Sequence, residues 1–116
     1  MTDNLIYVPP NIANQIVPRK GKVREDLIQR IGTHWRNVGT MLGLEPEVLN
    51  TIDDDHRSSY EKTAAVLCRI EQLAKKGLCV REFANALAAT NLRNVGEQLV
   101  QDLENVAIDN KSENFQ

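Results

Sequence analysis

The segment 34–46 constrains the fold of this chain more than any other, because it combines a helical apolar repeat, a glycine stop and a proline restart. Trp35 and Leu42 lie two helical turns apart on one apolar stripe, and Gly43 can end the helix with a left-handed backbone. Pro46 then suits the first turn of a new helix, where its missing N–H is not needed. The segment therefore predicts two short helices joined by a tight corner.

Apolar residues also recur at helical spacing in four other segments, at residues 23–31, 60–76, 80–88 and 92–106. Ser58 and Glu61 have the spacing of a capping box at the start of the second of these segments, which we expect to form the longest helix. No stretch alternates apolar and polar residues of the types that form strands. The predicted fold class is all-α, with six helices.

The predicted core consists of apolar residues that share one face of a helix or lie at the corner between two helices. Its members are Trp35, Leu42, Leu44, Leu49, Ile52, Leu67, Ile70, Phe83, Leu87, Val95 and Leu99. We expect Trp35, the single tryptophan of the chain, to be buried and structural rather than part of an interface.

The chain of 116 residues has the length of one ordinary domain, which we place at residues 21–107. Prolines at positions 9, 10 and 18 prevent a long helix before it, so residues 1–20 are predicted to form a flexible arm. Residues 108–116 are polar and have no periodicity, which predicts a disordered tail.

Taken in order, these features resemble the death domain, a six-helix protein-interaction module of apoptotic and innate-immune signalling. The resemblance covers residues 23–106 and is carried by Trp35, the Leu42-Gly43-Leu44 corner, Pro46, Leu49 with Ile52, the charged run 53–57, the helix 60–76 and the closing helices 80–103. It implies a six-helix antiparallel bundle of the Greek-key death-domain type. A caspase-recruitment-type bundle is the alternative within the same superfamily, and Trp35 with its corner favours the death domain.

The resemblance implies a non-catalytic interaction domain of an intracellular, cytoplasmic signalling adaptor or receptor. Its partners would be other death-domain proteins, and self-association is part of the same expectation. Homotypic contacts between an acidic and a basic face are the implied mode of assembly. The candidate acidic residues are Glu45, Glu47, Asp53, Asp54 and Asp55, and the candidate basic residues are Arg36, Arg57, Lys75, Lys76, Arg81 and Arg93.

Composition and motifs argue against other function classes. The formal net charge of -2 gives no overall field for a nucleic acid or a membrane, and no apolar run approaches the ~20 residues that span a bilayer. His34 and His56 lack a neighbouring nucleophile, and Cys68 and Cys79 lack metal-ligand spacing. We therefore expect no catalysis, metal, cofactor or small-molecule substrate. The remaining alternative is a small helical nucleic-acid-binding domain that uses the basic arm 19–24.

Overall fold

The computed structural model describes the backbone of residues 6–113 and the side chains of residues 6–106. Its helices are α1 (Pro10–Ala13), α2 (Lys22–Ile31), α3 (Trp35–Met41), α4 (Pro46–Asp55), α5 (Ser59–Ala74), α6 (Val80–Ala89) and α7 (Arg93–Glu113). A 3-10 turn at Gly32–His34 joins α2 to α3. Within residues 6–113 no strand forms, and Ile16 and Cys79 make one isolated backbone bridge. The predicted all-α class is confirmed, and the six predicted helices correspond to α2–α7.

Local sequence accounts for the places where the central helices begin and end. Gly43 follows α3 with a φ of +99°, in the left-handed region that favours glycine. Pro46 occupies the first helical position of α4. α5 begins with a complete capping box, in which the Glu61 N–H donates to Ser58 Oγ at 3.0 Å and the Ser58 N–H donates to Glu61 Oε1 at 3.3 Å. These signals set the corner and the direction in which α5 leaves it.

One hydrophobic core holds the longer helices together. α5 lies against α2, α3 and α4, while α7 lies against α6, α2 and α1. Leu67, Phe83 and Leu87 have no exposed surface, and Trp35 is 7% exposed. Of the eleven residues expected in the core, ten are buried and Leu42 is half-buried. Apart from the buried Arg24 and Glu71, the charged side chains of residues 6–106 are consequently at least partly exposed.

The N-terminal segment differs from the flexible arm expected over residues 1–20. Ile12, Ala13 and Val17 have no exposed surface and belong to the core. The prolines do prevent a long helix, but Pro10 begins the single turn α1, and non-helical chain on either side of it carries further apolar residues inward. From residue 6 onward the segment is thus packed against the helices, and the first five residues lie outside the described part.

The last helix is longer than the sequence indicates. α5, expected to be the longest helix, has 16 residues, whereas α7 has 21. The backbone of α7 continues to Glu113, within the predicted disordered tail at 108–116, and residues 114–116 are not described. The apolar stripe of this region ends at Val106, so no packing pattern marks the helical continuation.

Candidate interaction surface

The acidic end of α4 contains Asp53, Asp54 and Asp55 in a row. Asp54 and Asp55 are exposed, and neither forms an ion pair with another described residue. They lie in the last turn of α4, where the macrodipole is negative and where no basic side chain is present. Each carboxylate there is disfavoured by about 0.3–1 kcal/mol. The fold therefore keeps two carboxylates where local helix stability opposes them.

The acidic surface continues along α4 to its first turn. Glu45 and Glu47 are exposed, and Glu47 lies in the first turn of the helix. A carboxylate at that end stabilises the helix through the dipole. These two residues thus have a local structural reason for their charge, which Asp54 and Asp55 lack.

Asp53, the third carboxylate of the run, is engaged within the molecule. Lys62 Nζ lies 2.5 Å from Asp53 Oδ1, and Arg36 Nη2 lies 3.4 Å from Asp53 Oδ2. The hydrogen bond from Lys62, with the charges of Lys62 and Arg36, holds the pKa of Asp53 below its usual range. Arg36 also donates to Asn50 Oδ1 at 3.1 Å. The Arg36 guanidinium lies 4.9 Å and the Lys62 ammonium 5.6 Å from the centroid of the Trp35 ring. This cluster therefore covers the core tryptophan.

The basic turn, defined as residues 75–79, connects α5 to α6. Lys75 and Lys76 are exposed and form no ion pair with any described side chain. Arg81, in the first turn of α6, is exposed and likewise has no carboxylate partner among the described residues. The two lysines follow the C-terminal end of α5, where the dipole favours positive charge. This part of the chain thus presents three unpaired cations.

Arg57 and Arg93, the two other candidate cations, contact acidic neighbours. The backbone N–H of Arg57 donates to Glu61 Oε1 at 3.0 Å, and this bond is the largest of several causes that hold the pKa of Glu61 below its usual range. Arg93 Nε donates to Glu97 Oε2 at 3.2 Å. Arg93 is therefore engaged along its own helix, whereas the exposed guanidinium of Arg57 forms no ion pair with a described residue.

The acidic end of α4 and the basic turn lie at opposite ends of α5. The chain enters α5 at Ser59, shortly after Asp55, and the basic turn follows its last residue, Ala74. A helix of 16 residues is about 24 Å long. That length is about three Debye lengths at physiological ionic strength, so attraction between the two surfaces of one molecule is screened. The two surfaces therefore do not neutralise each other within one molecule.

The basic arm at residues 19–24 is largely engaged within the fold. Arg24 is buried and donates two hydrogen bonds to Glu71, at 2.7 and 3.0 Å. Its guanidinium also donates to the carbonyl of Pro18 at 2.9 Å, and Arg19 Nε lies 3.8 Å from the same carboxylate. Two of the four cations of the arm thus neutralise one buried carboxylate, which weakens the nucleic-acid alternative.

Among residues with described side chains, no group of three His, Cys, Asp or Glu residues is arranged to hold a metal ion. Cys68 and Cys79 are both free thiols. In the described range no helix combines the length and the apolar character that crossing a bilayer requires. The charged surfaces at the two ends of α5 are therefore the candidate site.

Comparisons of this chain with protein-family models, with curated proteins and with solved structures found no match. Membership of the death-domain family therefore stays a prediction from the residues of the sequence.

Proposed function

We propose that this chain is a death-domain-like interaction module of an intracellular signalling adaptor or receptor, with α2–α7 in the Greek-key order of the death fold. Its role is non-catalytic. It joins like domains by placing the acidic end of α4 on one molecule against the basic turn of the next. Its partners are other death-domain proteins and further copies of this chain.

The observation that carries this proposal is the pair of unpaired, oppositely charged surfaces at the two ends of α5. Asp54 and Asp55 form no ion pair with a cation among the described residues. Lys75 and Lys76 likewise form no ion pair with a described carboxylate. A solvated surface of mixed charge usually intersperses the two signs. Here the pair Asp54 and Asp55 is separated from the pair Lys75 and Lys76 by the length of a helix, and the two carboxylates oppose the dipole of their own helix.

Contact between unlike surfaces determines the form of the assembly. When one surface of a molecule binds a different surface of the next, the contact is heterologous and leaves both ends of the pair able to bind again. Such a contact produces a ring or an open helical array. Complementary charges set the register and accelerate the encounter more than they raise the affinity. The assembly should accordingly be weak at high salt.

Light scattering coupled to size exclusion tests this proposal over a concentration series at low and at high salt. The test variant is Asp54→Lys/Asp55→Lys, which reverses the two unpaired carboxylates of α4. The matched control is Asp26→Lys/Glu104→Lys, which makes the same change in net charge on α2 and α7. Circular dichroism on each variant verifies that helical content is retained.

The proposal predicts that the wild type grows beyond a dimer as concentration rises at low salt, and that added salt reverses this growth. The test variant should stay monomeric while the control assembles. A wild type that is monomeric at every concentration would overturn self-association. Equal loss of assembly in the control would show that net charge, rather than the end of α4, governs the behaviour.

A further inference from the structure

The N-terminal strap, defined as residues 6–18, is bound to the junction between the basic turn and α6. The N–H of Val17 donates to the carbonyl of Leu78 at 2.7 Å. On the other side of this contact, the N–H of Val80 donates to the carbonyl of Gln15 at 2.9 Å. The strap therefore supplies backbone hydrogen bonds both to the end of the basic turn and to the start of α6.

Two further hydrogen bonds hold the strap along α6. The thiol of Cys79 donates to the carbonyl of Ala13 at 3.2 Å. Near the beginning of the strap, the N–H of Ile6 donates to Asn85 Oδ1 at 2.8 Å. The apolar side chains of the strap are buried in the common core, and these are Ile6, Val8, Ile12, Ala13 and Val17. The strap is thus bound along its whole length.

Two glycines of the helical body leave room for side chains of the strap. A Cβ atom at Gly77 would lie 2.6 Å from Ile16 Cγ2, and a Cβ atom at Gly96 would lie 2.5 Å from Ile6 Cδ1. Both separations are far below van der Waals contact, so a larger residue at either position displaces the facing isoleucine side chain or the strap that carries it. The surface of the body is therefore matched in shape to the docked strap.

The basic turn needs outside support because its own backbone is strained. Lys75 has a φ of +49°, which non-glycine residues rarely adopt. Such a conformation persists only where the surrounding structure holds it. The hydrogen bonds from the strap to Leu78 and Val80 provide that support at the far end of the turn.

We infer that the strap is a clamp that holds the basic turn in the conformation in which Lys75 and Lys76 meet the acidic surface of another molecule. When the strap is docked, the turn is fixed. When the strap is released, the turn loses its hydrogen bonds at Leu78 and Val80 and the two lysines lose their position. The clamp itself is independent of what the turn binds, while its effect on assembly depends on the proposed function.

The two cysteines provide a direct measurement of strap release in the full chain. Cys79 is half-buried and hydrogen-bonded to the strap, whereas Cys68 is exposed on α5. Iodoacetamide alkylates an exposed thiolate, so the rate at Cys79 reports opening of the strap and the rate at Cys68 is an internal reference. Mass spectrometry of the peptides gives both rates from one sample under native conditions.

Three variants separate the clamp from general loosening. Gly77→Ala forces Ile16 away without altering a charged residue. Gly43→Ala is the matched control, because Gly43 has a φ of +99° and Gly77 a φ of +94°, yet a Cβ atom at Gly43 meets nothing within 4 Å. Ile16→Ala combined with Gly77→Ala keeps the backbone strain but removes the collision. Because Ile16 is already 41% exposed, its truncation removes less buried surface than truncation of a core residue such as Ile12.

The clamp predicts that Gly77→Ala raises the alkylation rate of Cys79 relative to that of Cys68 by about tenfold. This factor corresponds to the lower part of the range of free energies that overpacking costs. Gly43→Ala should leave this ratio unchanged, and the double variant should return it towards the wild type. An equal increase in Gly43→Ala, or no recovery in the double variant, would overturn the clamp.

Light scattering on the same samples separates the clamp from the proposed function. If the Cys79 ratio responds as expected and Gly77→Ala also loses assembly, both are supported. If the ratio responds but the wild type never assembles, the clamp stands and the proposed function fails. If the wild type and Gly77→Ala assemble equally while Cys79 is exposed in the variant, the clamp does not control assembly, and that part of the inference is refuted.

Discussion

The buried ion pair between Arg24 and Glu71 allows a quantitative prediction about stability. Both side chains are 8% exposed, and the guanidinium donates to both oxygens of the carboxylate, at 2.7 and 3.0 Å. Replacing Glu71 with Met leaves a buried guanidinium whose remaining described partner is the carbonyl of Pro18. Removing one member of such a pair lowers the free energy of unfolding by about 3–5 kcal/mol, because the other charge stays buried and unpaired.

The reverse substitution should be milder because the carboxylate keeps a second partner. In Arg24→Met, Glu71 retains Arg19, whose Nε lies 3.8 Å away and whose side chain is 56% exposed. An exposed partner of this kind contributes up to about 1 kcal/mol, so Arg24→Met should destabilise by that much less than Glu71→Met. Replacing both residues with Met removes both charges, and the double variant should lie within about 1 kcal/mol of the wild type.

Urea unfolding followed by circular dichroism measures these differences for each variant, with the fluorescence of Trp35 as a second probe of the same transition. The expected pattern is a strong loss in each single variant and a near-complete recovery in the double variant. A loss below about 1 kcal/mol in Glu71→Met, or a double variant that loses the sum of both single effects, would show that the two charges do not stabilise each other as a buried pair.

Three further predictions concern the corner and the start of α5. Trp35→Ala should lower the free energy of unfolding by about 3–5 kcal/mol, because a buried aromatic side chain is lost. Circular dichroism follows this unfolding, since the variant has no tryptophan fluorescence, and a loss below about 1 kcal/mol would argue against burial. Ser58→Ala should cost about 1 kcal/mol through loss of the capping box, measured by the same urea titration, with no change if the cap is unimportant. Lys62→Met should raise the pKa of Asp53 towards its usual range, observed by NMR titration of the carboxyl carbon. Because the pKa of Asp53 is lowered on folding, its contribution to stability is present above the unfolded value near 3.8 and is lost as pH falls through the folded pKa. In Lys62→Met, the free energy of unfolding should therefore fall less steeply as pH is lowered through this range.

The helices were predictable because their signals are local. The apolar repeat before Gly43, the proline that opens α4 and the Ser58–Glu61 capping box each act within a few residues, and each lies at a helix boundary in the structure. The apolar periodicity of 80–88 and 92–106 located α6 and the apolar part of α7 in the same way.

The strap could not be predicted because its pattern has no single period. Its buried residues, at positions 6, 8, 12, 13 and 17, follow neither a helix nor a strand, since the chain changes from non-helical to one helical turn and back. Its hydrogen-bond partners lie in the junction after α5 and in α6, far away in sequence. Only the folded chain brings these segments together.

The sequence predicts which residues of the candidate site carry a charge, but it does not predict which of them form ion pairs within the molecule. The sequence groups Asp53 with Asp54 and Asp55, yet only Asp53 meets Lys62 and Arg36 across the corner. These contacts join residues on different helices, so no spacing rule reveals them. The unpaired charges of the candidate site can therefore be identified only from the structure.

A charge-exchange experiment shows whether the acidic end of α4 binds the basic turn of another molecule. Asp54→Lys/Asp55→Lys removes the acidic surface, and Lys75→Glu/Lys76→Glu removes the basic surface, while the residues of the core are unchanged. Each variant alone should be monomeric by light scattering at low salt. A mixture of the two variants should assemble, because the intact basic turn of the first meets the intact acidic end of α4 of the second.

The decisive sample is therefore one molecule that carries all four substitutions, in which both surfaces are reversed and opposite charges again face each other between copies. If the acidic end of α4 binds the basic turn, this variant should recover the salt-sensitive assembly that each pair of substitutions abolishes. A four-fold variant that stays monomeric while the wild type assembles would contradict the pairing of the acidic end of α4 with the basic turn.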